Sequence, residues 1–210
     1  HYASDLADHR VHPLEFAKLV KKANMPVMRF SRGGGTTYHG PGQLTLYFIL
    51  AHKEIGIDSP KDFTCKALRA VQRVLLRNFG SATYTLTELF KTKEMFPFVK
   101  KALARINITE EKDTQSHHAS GLWIMDTEEN RIKKIVSRGT KWNKRTNPFT
   151  DVIITFGFGI NISTDLLWFN EIIKPCGLNI EMTNIAKETG LTDIDMKDIC
   201  ELAERRDIVL

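Results

Sequence analysis

Twelve residues, Arg32 to Gln43, read RGGGTTYHGPGQ and run straight into LTLYFIL. Five of the twelve are glycine and one is proline, a large surrender of backbone order directly before an apolar stretch. Consecutive glycines permit positive φ and remove the side chains that would hold a ligand at a distance. They also let backbone N–H groups face an anion or a carbonyl oxygen. Two familiar glycine-rich architectures are excluded by the surroundings. A P-loop requires a Lys-Ser/Thr pair, which does not follow. A dinucleotide-binding turn requires a strand before it and a long helix after it, whereas Leu44 to Leu50 reads as a buried strand rich in aromatic and branched residues. A plain turn between strands has no need of Arg32, Thr37, Tyr38 and His39, so the stretch reads as a ligand-contacting loop.

The rest of the chain alternates irregularly between the two periods. Apolar residues at helical spacing predict a helix over His12 to Asn24, and PVMRF (Pro26 to Phe30) a short strand. Pro60 to Gly80 is the clearest helix, with Asp62 near its start, Phe63, Leu68, Val71, Leu75 and Leu76 on its apolar face, and Gly80 closing it. Residues 81 to 120 suggest helix on either side of Pro97, then an exposed loop. GLWIMD and IKKIVS predict a hairpin joined by TEEN. Residues 140 to 151 read as polar loop and DVIITFGFGINI as a strand whose alternate glycines admit a close neighbour. STDLLWFNEIIKPCG reads as a capped helix, followed by short helices over Thr183 to Thr189 and Asp195 to Arg206. With no internal repeat, this order predicts one domain over residues 1–210 of α+β class: a mixed sheet flanked by helices.

Composition narrows the chemistry. The net charge of +5 favours an acidic partner, but the basic residues are scattered, without the aromatic–basic interleaving that grips nucleic acid. No apolar run approaches the ~20 residues of a membrane span. Cys65, Cys176 and Cys200 form no CxxC pair, which suits a reducing compartment. Cys65 and Cys200 lie in helical patterns and are expected to serve as small core residues. His117 and His118 lack partners at ligand spacing, so no metal is expected.

RGGGTTYHGPGQ resembles the signature of the lipoyl(octanoyl) transferases, Arg-Gly-Gly-x-x-Thr-aromatic-His-Gly-Pro-Gly-Gln, at every fixed position. KPCGLNIEMTNI is similar to that family's Pro-Cys-Gly step with a Thr a few residues on. GLWIMD and KIVSRG resemble its Gly-Val-Trp strand and its Lys-Ile-Ala-Ser-Ile-Gly segment. The resemblance covers most of residues 25 to 205 and implies a biotin/lipoyl ligase catalytic-domain-like fold. It implies an acyltransferase that moves octanoyl from acyl carrier protein to a lysine of a lipoate-dependent protein, such as a 2-oxoacid dehydrogenase E2 subunit or glycine cleavage H protein. Cys176 would be the nucleophile and Lys134, rather than Lys133, its partner. Arg32, Gly33, Gly34, Gly35, Thr36, Thr37, Tyr38 and His39 would bind substrate, with Ser137, Arg138, Gly139, Gly157, Phe158 and Gly159. His39 and Arg32 would orient or contact the acyl group and carbonyl. Leu44, Ile135 and Ile160 would line an acyl channel or simply fill the core. No cofactor or metal is implied, and no nucleic-acid or membrane partner.

The chemistry needs no more than this. A thiolate exchanging one thioester for another is nearly isoenergetic, and amine attack on the acyl-enzyme is downhill. An ammonium ~4 Å from the thiol is worth about 4 kcal/mol at an effective dielectric of ~20, enough to favour the thiolate. Other readings are an ATP-dependent lipoate–protein ligase and a degenerate acyl-domain binding module. Departures from the family pattern include Phe156 and Gly159 in places usually held by His and Ala, and Arg138 in an apolar place, where a guanidinium needs a partner or solvent. Residues 81–120 exceed the family's linker, its first strand and helix are expected before His1, and the insertions point to a mitochondrial protein rather than a bacterial or plastid one.

Overall fold

The computed structural model describes Lys21 and residues 37–51, 60–115, 120–143, 153–169, 173 and 180–204. Among the described residues four strands form the sheet: β1 (Gln43–Ala51), β2 (Gly121–Asp126), β3 (Arg131–Asn143) and β4 (Ile153–Asn161). Their order is β1-β4-β3-β2, each neighbour antiparallel. A parallel bridge between Lys134 and Met182 adds a fifth chain segment beside β3 and makes the sheet mixed. The sequence-predicted helix over 12–24, apart from Lys21, and the strand over 26–30 lie outside the described residues.

Helix α1 (Pro60–Phe79) covers one face of the sheet. Its inward residues Phe63, Ala67, Leu68, Val71 and Leu75 pack with Leu122, Ile124, Ile135, Val136, Phe158 and Ile160 into the first core. Gly80 closes the helix at φ 63, its N–H donating to the carbonyl of Leu76. Cys65 lies off the inward face and is exposed, as is Cys200 on the last helix. The expectation that both are core residues is therefore corrected: each falls on the solvent side of an amphipathic helix. Leu44, Ile135 and Ile160 all pack in this core beneath α1, which is the second of the two roles expected for them.

The opposite face carries a second core, in which Trp123, Ile132 and Met182 meet Leu86 and Leu89 of α2 (Leu86–Thr92) and Val99 and Leu103 of α3 (Pro97–Arg105). Helix therefore does form on both sides of Pro97. Thr85 and Glu88 cap α2 reciprocally, and Pro97 begins α3 where its missing N–H costs nothing. The loop expected next contains a 3-10 turn over Glu111–Gln115. Asp113 fixes it by accepting from the N–H groups of Thr109 and Glu110. The described residues end with α4 (Ile185–Thr189), capped by Asn184, and α5 (Met196–Glu204).

The predicted hairpin is β2–β3. Asp126 nucleates its turn by accepting from the N–H groups of Glu128 and Glu129, and Asn130 takes the positive φ of 53. β3 runs further than the sequence suggests. Lys141, Trp142 and Asn143, expected in loop, pair with Thr155, Ile154 and Ile153 of β4, because ladder pairing overrides the poor strand propensity of a polar stretch.

Candidate functional site

One irregularity in β3 assembles the site. Leu122 pairs with Val136 but Trp123 pairs with Lys134, leaving Ile135 as an extra residue, a β-bulge. Ile135 and Val136 consequently both point into the core beneath α1. Regular alternation would put Lys134 and Ser137 on opposite faces. With the bulge, Lys134 lies on the Trp123 side, its Nζ 5.4 Å from the centroid of that ring, and Ser137 and Gly139 follow on the same side. Across the ladder, Ser137 faces Gly159 and Gly139 faces Gly157. The result is a side-chain-poor strip leading away from a buried lysine, which is only 2% exposed. Tyr47 and Ile49 of β1 flank the strip and are exposed, at 60% and 70%.

Lys134 is held from both ends. Its N–H donates to the carbonyl of Glu181 and its own carbonyl accepts from Thr183, so Glu181–Thr183 runs beside β3 where β4 has ended. Beneath its stem lies Gly121, at φ 148. A Cβ there would sit 2.8 Å from Lys134 Cε and 2.0 Å from the carbonyl oxygen of Val136.

Lys133, its neighbour, serves differently. Its Nζ lies 2.7 Å from Asp126, 3.4 Å from Glu129 and 3.5 Å from Glu188. Burial alone would pull its pKa down. The hydrogen bond to Asp126 and the charges of Glu188, Asp126 and Glu129 together outweigh that and push it up to about 12. Glu188 also accepts a hydrogen bond from the buried Thr183 hydroxyl. Lys133 is thus a structural cation clamping the Thr183 segment, which distinguishes the two adjacent lysines physically.

The glycine-rich motif is described from Thr37 onward. Tyr38 is buried in the second core, stacked on Trp168 at 5.4 Å and edge-on to Phe169. Burial, and secondarily the charge of Asp165, raise its phenol pKa. Gly42 takes φ 77, and its carbonyl accepts from the N–H groups of Ile162 and Ser163. A Cβ there would meet the Ser163 backbone at 2.6 Å, so this glycine seats the motif against the end of β4. His39 Nδ1 lies 2.5 Å from Gln43 Oε1, and Gln43 Nε2 donates to Asn161 Oδ1 at 2.8 Å. Asn161 Nδ2 in turn donates to the carbonyl of Thr183 at 3.0 Å. The motif and the segment beside Lys134 are therefore one hydrogen-bonded unit.

Thr37, Tyr38, His39, Lys134, Ser137, Gly139, Gly157 and Gly159 belong to the elements that form this face. Arg138 and Phe158 contribute backbone to the strip, while their side chains turn under α1. Phe158 packs in the first core. The Arg138 guanidinium donates to the Thr64 hydroxyl at 2.8 Å, which supplies the partner its position demands, and burial pulls its pKa down to about 10 despite the opposing influence of Cys65. Arg32 to Thr36, Phe156's side chain and Cys176 lie outside what is described. Sequence reading passed over Gln43, Asn161 and Gly121. The Gln closing the glycine motif and the Asn closing FGFGIN were the available signals for the first two.

The lipoyl protein ligase A/B catalytic domain model matches residues 9–206. An octanoyltransferase of Porphyromonas gingivalis is 28% identical over 172 residues, covering 81% of this chain and 27% of that protein. An octanoyltransferase of Dictyoglomus thermophilum is 28% identical over 181 residues, 86% of this chain and 56% of that protein. The chain thus spans only part of the length of these curated relatives. A crystal structure of lipoate-protein ligase A bound with ATP shares the fold with a TM-score of 0.55 at 15% identity, over 92% of this chain and 60% of that one.

Proposed function

Because the chain belongs to the lipoyl protein ligase A/B catalytic domain family, we propose that it is an octanoyltransferase, carrying the acyl group from acyl carrier protein to a lysine of a lipoate-dependent protein through a thioester on Cys176. The observation that carries this reading is the placement of Lys134: buried, set by the bulge at the head of the glycine strip, and hydrogen-bonded through its backbone to Glu181 and Thr183. Cys176 lies six residues before Met182, the residue bridged to Lys134. The family-level reading is an acyl-handling protein, and relatives that are 28% identical carry the octanoyltransferase name.

In this proposal the Cys176 thiolate, paired with the Lys134 ammonium, attacks the octanoyl thioester. The carbon–sulfur bond to the carrier breaks and the departing thiolate takes a proton from Lys134. A neutral substrate lysine then attacks the Cys176 thioester, Lys134 accepts its proton, and the thiolate leaves, restoring the ion pair. Backbone around Ser137 to Gly139 and Gly157 to Gly159 would flank the tetrahedral intermediate. The charge of +5 suits an acidic carrier protein.

Incubation with octanoyl-acyl carrier protein, without ATP, followed by intact-mass measurement tests the proposal. A hydroxylamine-sensitive octanoyl adduct that disappears in Cys176→Ser is expected. Transfer that proceeds only with ATP and free octanoate, or a fully active Cys176→Ser, would replace it with the ligase reading or remove the nucleophile.

A further inference from the structure

The helical hairpin α2–α3 brings an apolar projection and unbalanced positive charge together at one tip. Met95, in the turn between the two helices, is 76% exposed, more than any other large apolar side chain among the described residues. Its turn is ordered by backbone hydrogen bonds. The N–H groups of Met95 and Phe96 both donate to the carbonyl of Thr92 at 3.0 Å, and Val99 donates to the carbonyl of Phe96 as α3 begins. Phe96 and Phe98 meet edge-on at 5.8 Å. These two and Phe90 are part-exposed and pack against the second core. A single exposed methionine needs no explanation. One set among three part-exposed phenylalanines, with cations in both flanking helices, has the composition of an interaction surface.

From Lys91 to Arg105 the chain carries five cations, Lys91, Lys93, Lys100, Lys101 and Arg105, against the one carboxylate of Glu94. Lys100 holds that carboxylate at 3.4 Å, and Lys93 Nζ lies 3.4 Å from the centroid of the Phe90 ring. Among the described residues no carboxylate pairs with Lys91, Lys101 or Arg105, all of them exposed. The surplus of four on this one hairpin compares with +5 for the whole chain. The hairpin also packs on the side of the sheet that carries Lys134. Leu89 and Val99 share the second core with Trp123, whose ring lies 5.4 Å from Lys134 Nζ. Helix α1 is also basic, with Arg69 and Arg77 exposed, but it covers the opposite face.

We infer that the α2–α3 hairpin is the docking surface for the acidic carrier protein that delivers the acyl thioester, with Met95 as the apolar anchor and Lys91, Lys93 and Lys101 facing the carrier's carboxylates. This rests on the acyl transfer proposed above. Charge complementarity selects the partner. An anionic bilayer would need a broader apolar face than one methionine and three phenylalanines that are already packed on the core. Single-stranded nucleic acid would need aromatic faces open for stacking, which these part-buried rings do not offer.

The test uses the full chain and fluorescently labelled acyl carrier protein. Wild type should bind the carrier with an affinity that falls as salt is added. Lys91→Glu combined with Lys101→Glu, and Met95→Glu alone, should each weaken binding by about tenfold or more. Arg69→Glu combined with Arg77→Glu makes the same change of charge on the opposite face and should weaken it by less than about threefold. In turnover with octanoyl-acyl carrier protein, the hairpin variants should raise KM and spare kcat. Acylation of Cys176 by octanoyl-pantetheine, which has no carrier to dock, should match wild type and so reports that the variants are folded. Absence of carrier binding by wild type, unchanged binding in both hairpin variants, or equal weakening by the α1 variant overturns the proposal. So does sedimentation with phosphatidylserine vesicles that the hairpin variants abolish while carrier binding stays unchanged, which would assign the tip to a membrane. Hairpin-dependent carrier binding without any thioester on Cys176 upholds the docking surface and removes the proposed acyl transfer.

Discussion

Replacing Lys133 by Met keeps most of its stem and removes only the cation that three carboxylates surround. The cost follows from the site. Raising a lysine from its ordinary 10.5 to about 12 means that the folded protein prefers the charged form by about 2 kcal/mol after burial has been charged against it. Truncation also leaves Asp126 and Glu188 without their nearest cation, although Asp126 keeps two backbone donors and Glu188 keeps the Thr183 hydroxyl. Breaking a buried pair from one side costs about 3–5 kcal/mol when nothing else compensates, so the expected loss is about 2–4 kcal/mol. Urea unfolding at pH 7 should show it as a lower midpoint with an unchanged slope. The sign with pH is set by the two partners. Lys133's contribution is complete below its unfolded pKa and is lost only as pH rises through about 12. The Asp126 carboxyl is held below its usual range by the Glu129 N–H, then by Lys133, so its contribution is present above that range and lost as pH falls through the depressed value. Lys133→Met should therefore flatten the acid limb of the stability curve. A loss under about 0.5 kcal/mol, or an acid limb identical to wild type, would refute the clamp.

Gly121→Ala should lose about 2–4 kcal/mol, since its methyl would enter both the Val136 carbonyl and the Lys134 stem from a φ of 148; thermal unfolding indistinguishable from wild type would contradict this. Gly159→Ala should be tolerated within about 0.5 kcal/mol, because its Cβ finds the Gln43 amide at 3.4 to 3.6 Å, ordinary contact distance. A loss above about 1.5 kcal/mol would show that the strip has no room for the family's usual alanine.

What the sequence makes legible is whatever depends on local pattern. The inward residues of α1, the β2–β3 hairpin and the strand after the glycine motif are periodic or punctuated and form where expected, but Leu76 of the expected apolar face and Tyr47 and Ile49 of the expected buried strand are exposed. Lys141 to Asn143 could not be read as strand, because what holds them is the ladder to β4 and not their own propensity. Cys65 looked like core because helical periodicity identifies an amphipathic element more easily than the inward side of each residue. Lys134 was separable from Lys133 only through resemblance. The physical distinction, three carboxylates around one amine and a tryptophan beside the other, arises from Asp126, Glu129 and Glu188, two of them in the hairpin turn and one some fifty positions away. The Gln43–Asn161 bond joins residues 118 apart, and no local signal encodes it.

The extra residue at Ile135 has a consequence for how such a chain can change. Three steps separate Lys134 from Ser137, an odd number, and an unbroken ribbon would show those two letters to opposite sides. A single insertion or deletion between Arg131 and Lys134, or between Ser137 and Gly139, would turn one half of the strand over relative to the other while leaving nearly every letter in place. The same holds as far as Asn143, since the ladder to β4 continues through Thr140 to Asn143. Chimeras cut through the middle of this ribbon need to inherit its kink along with its residues.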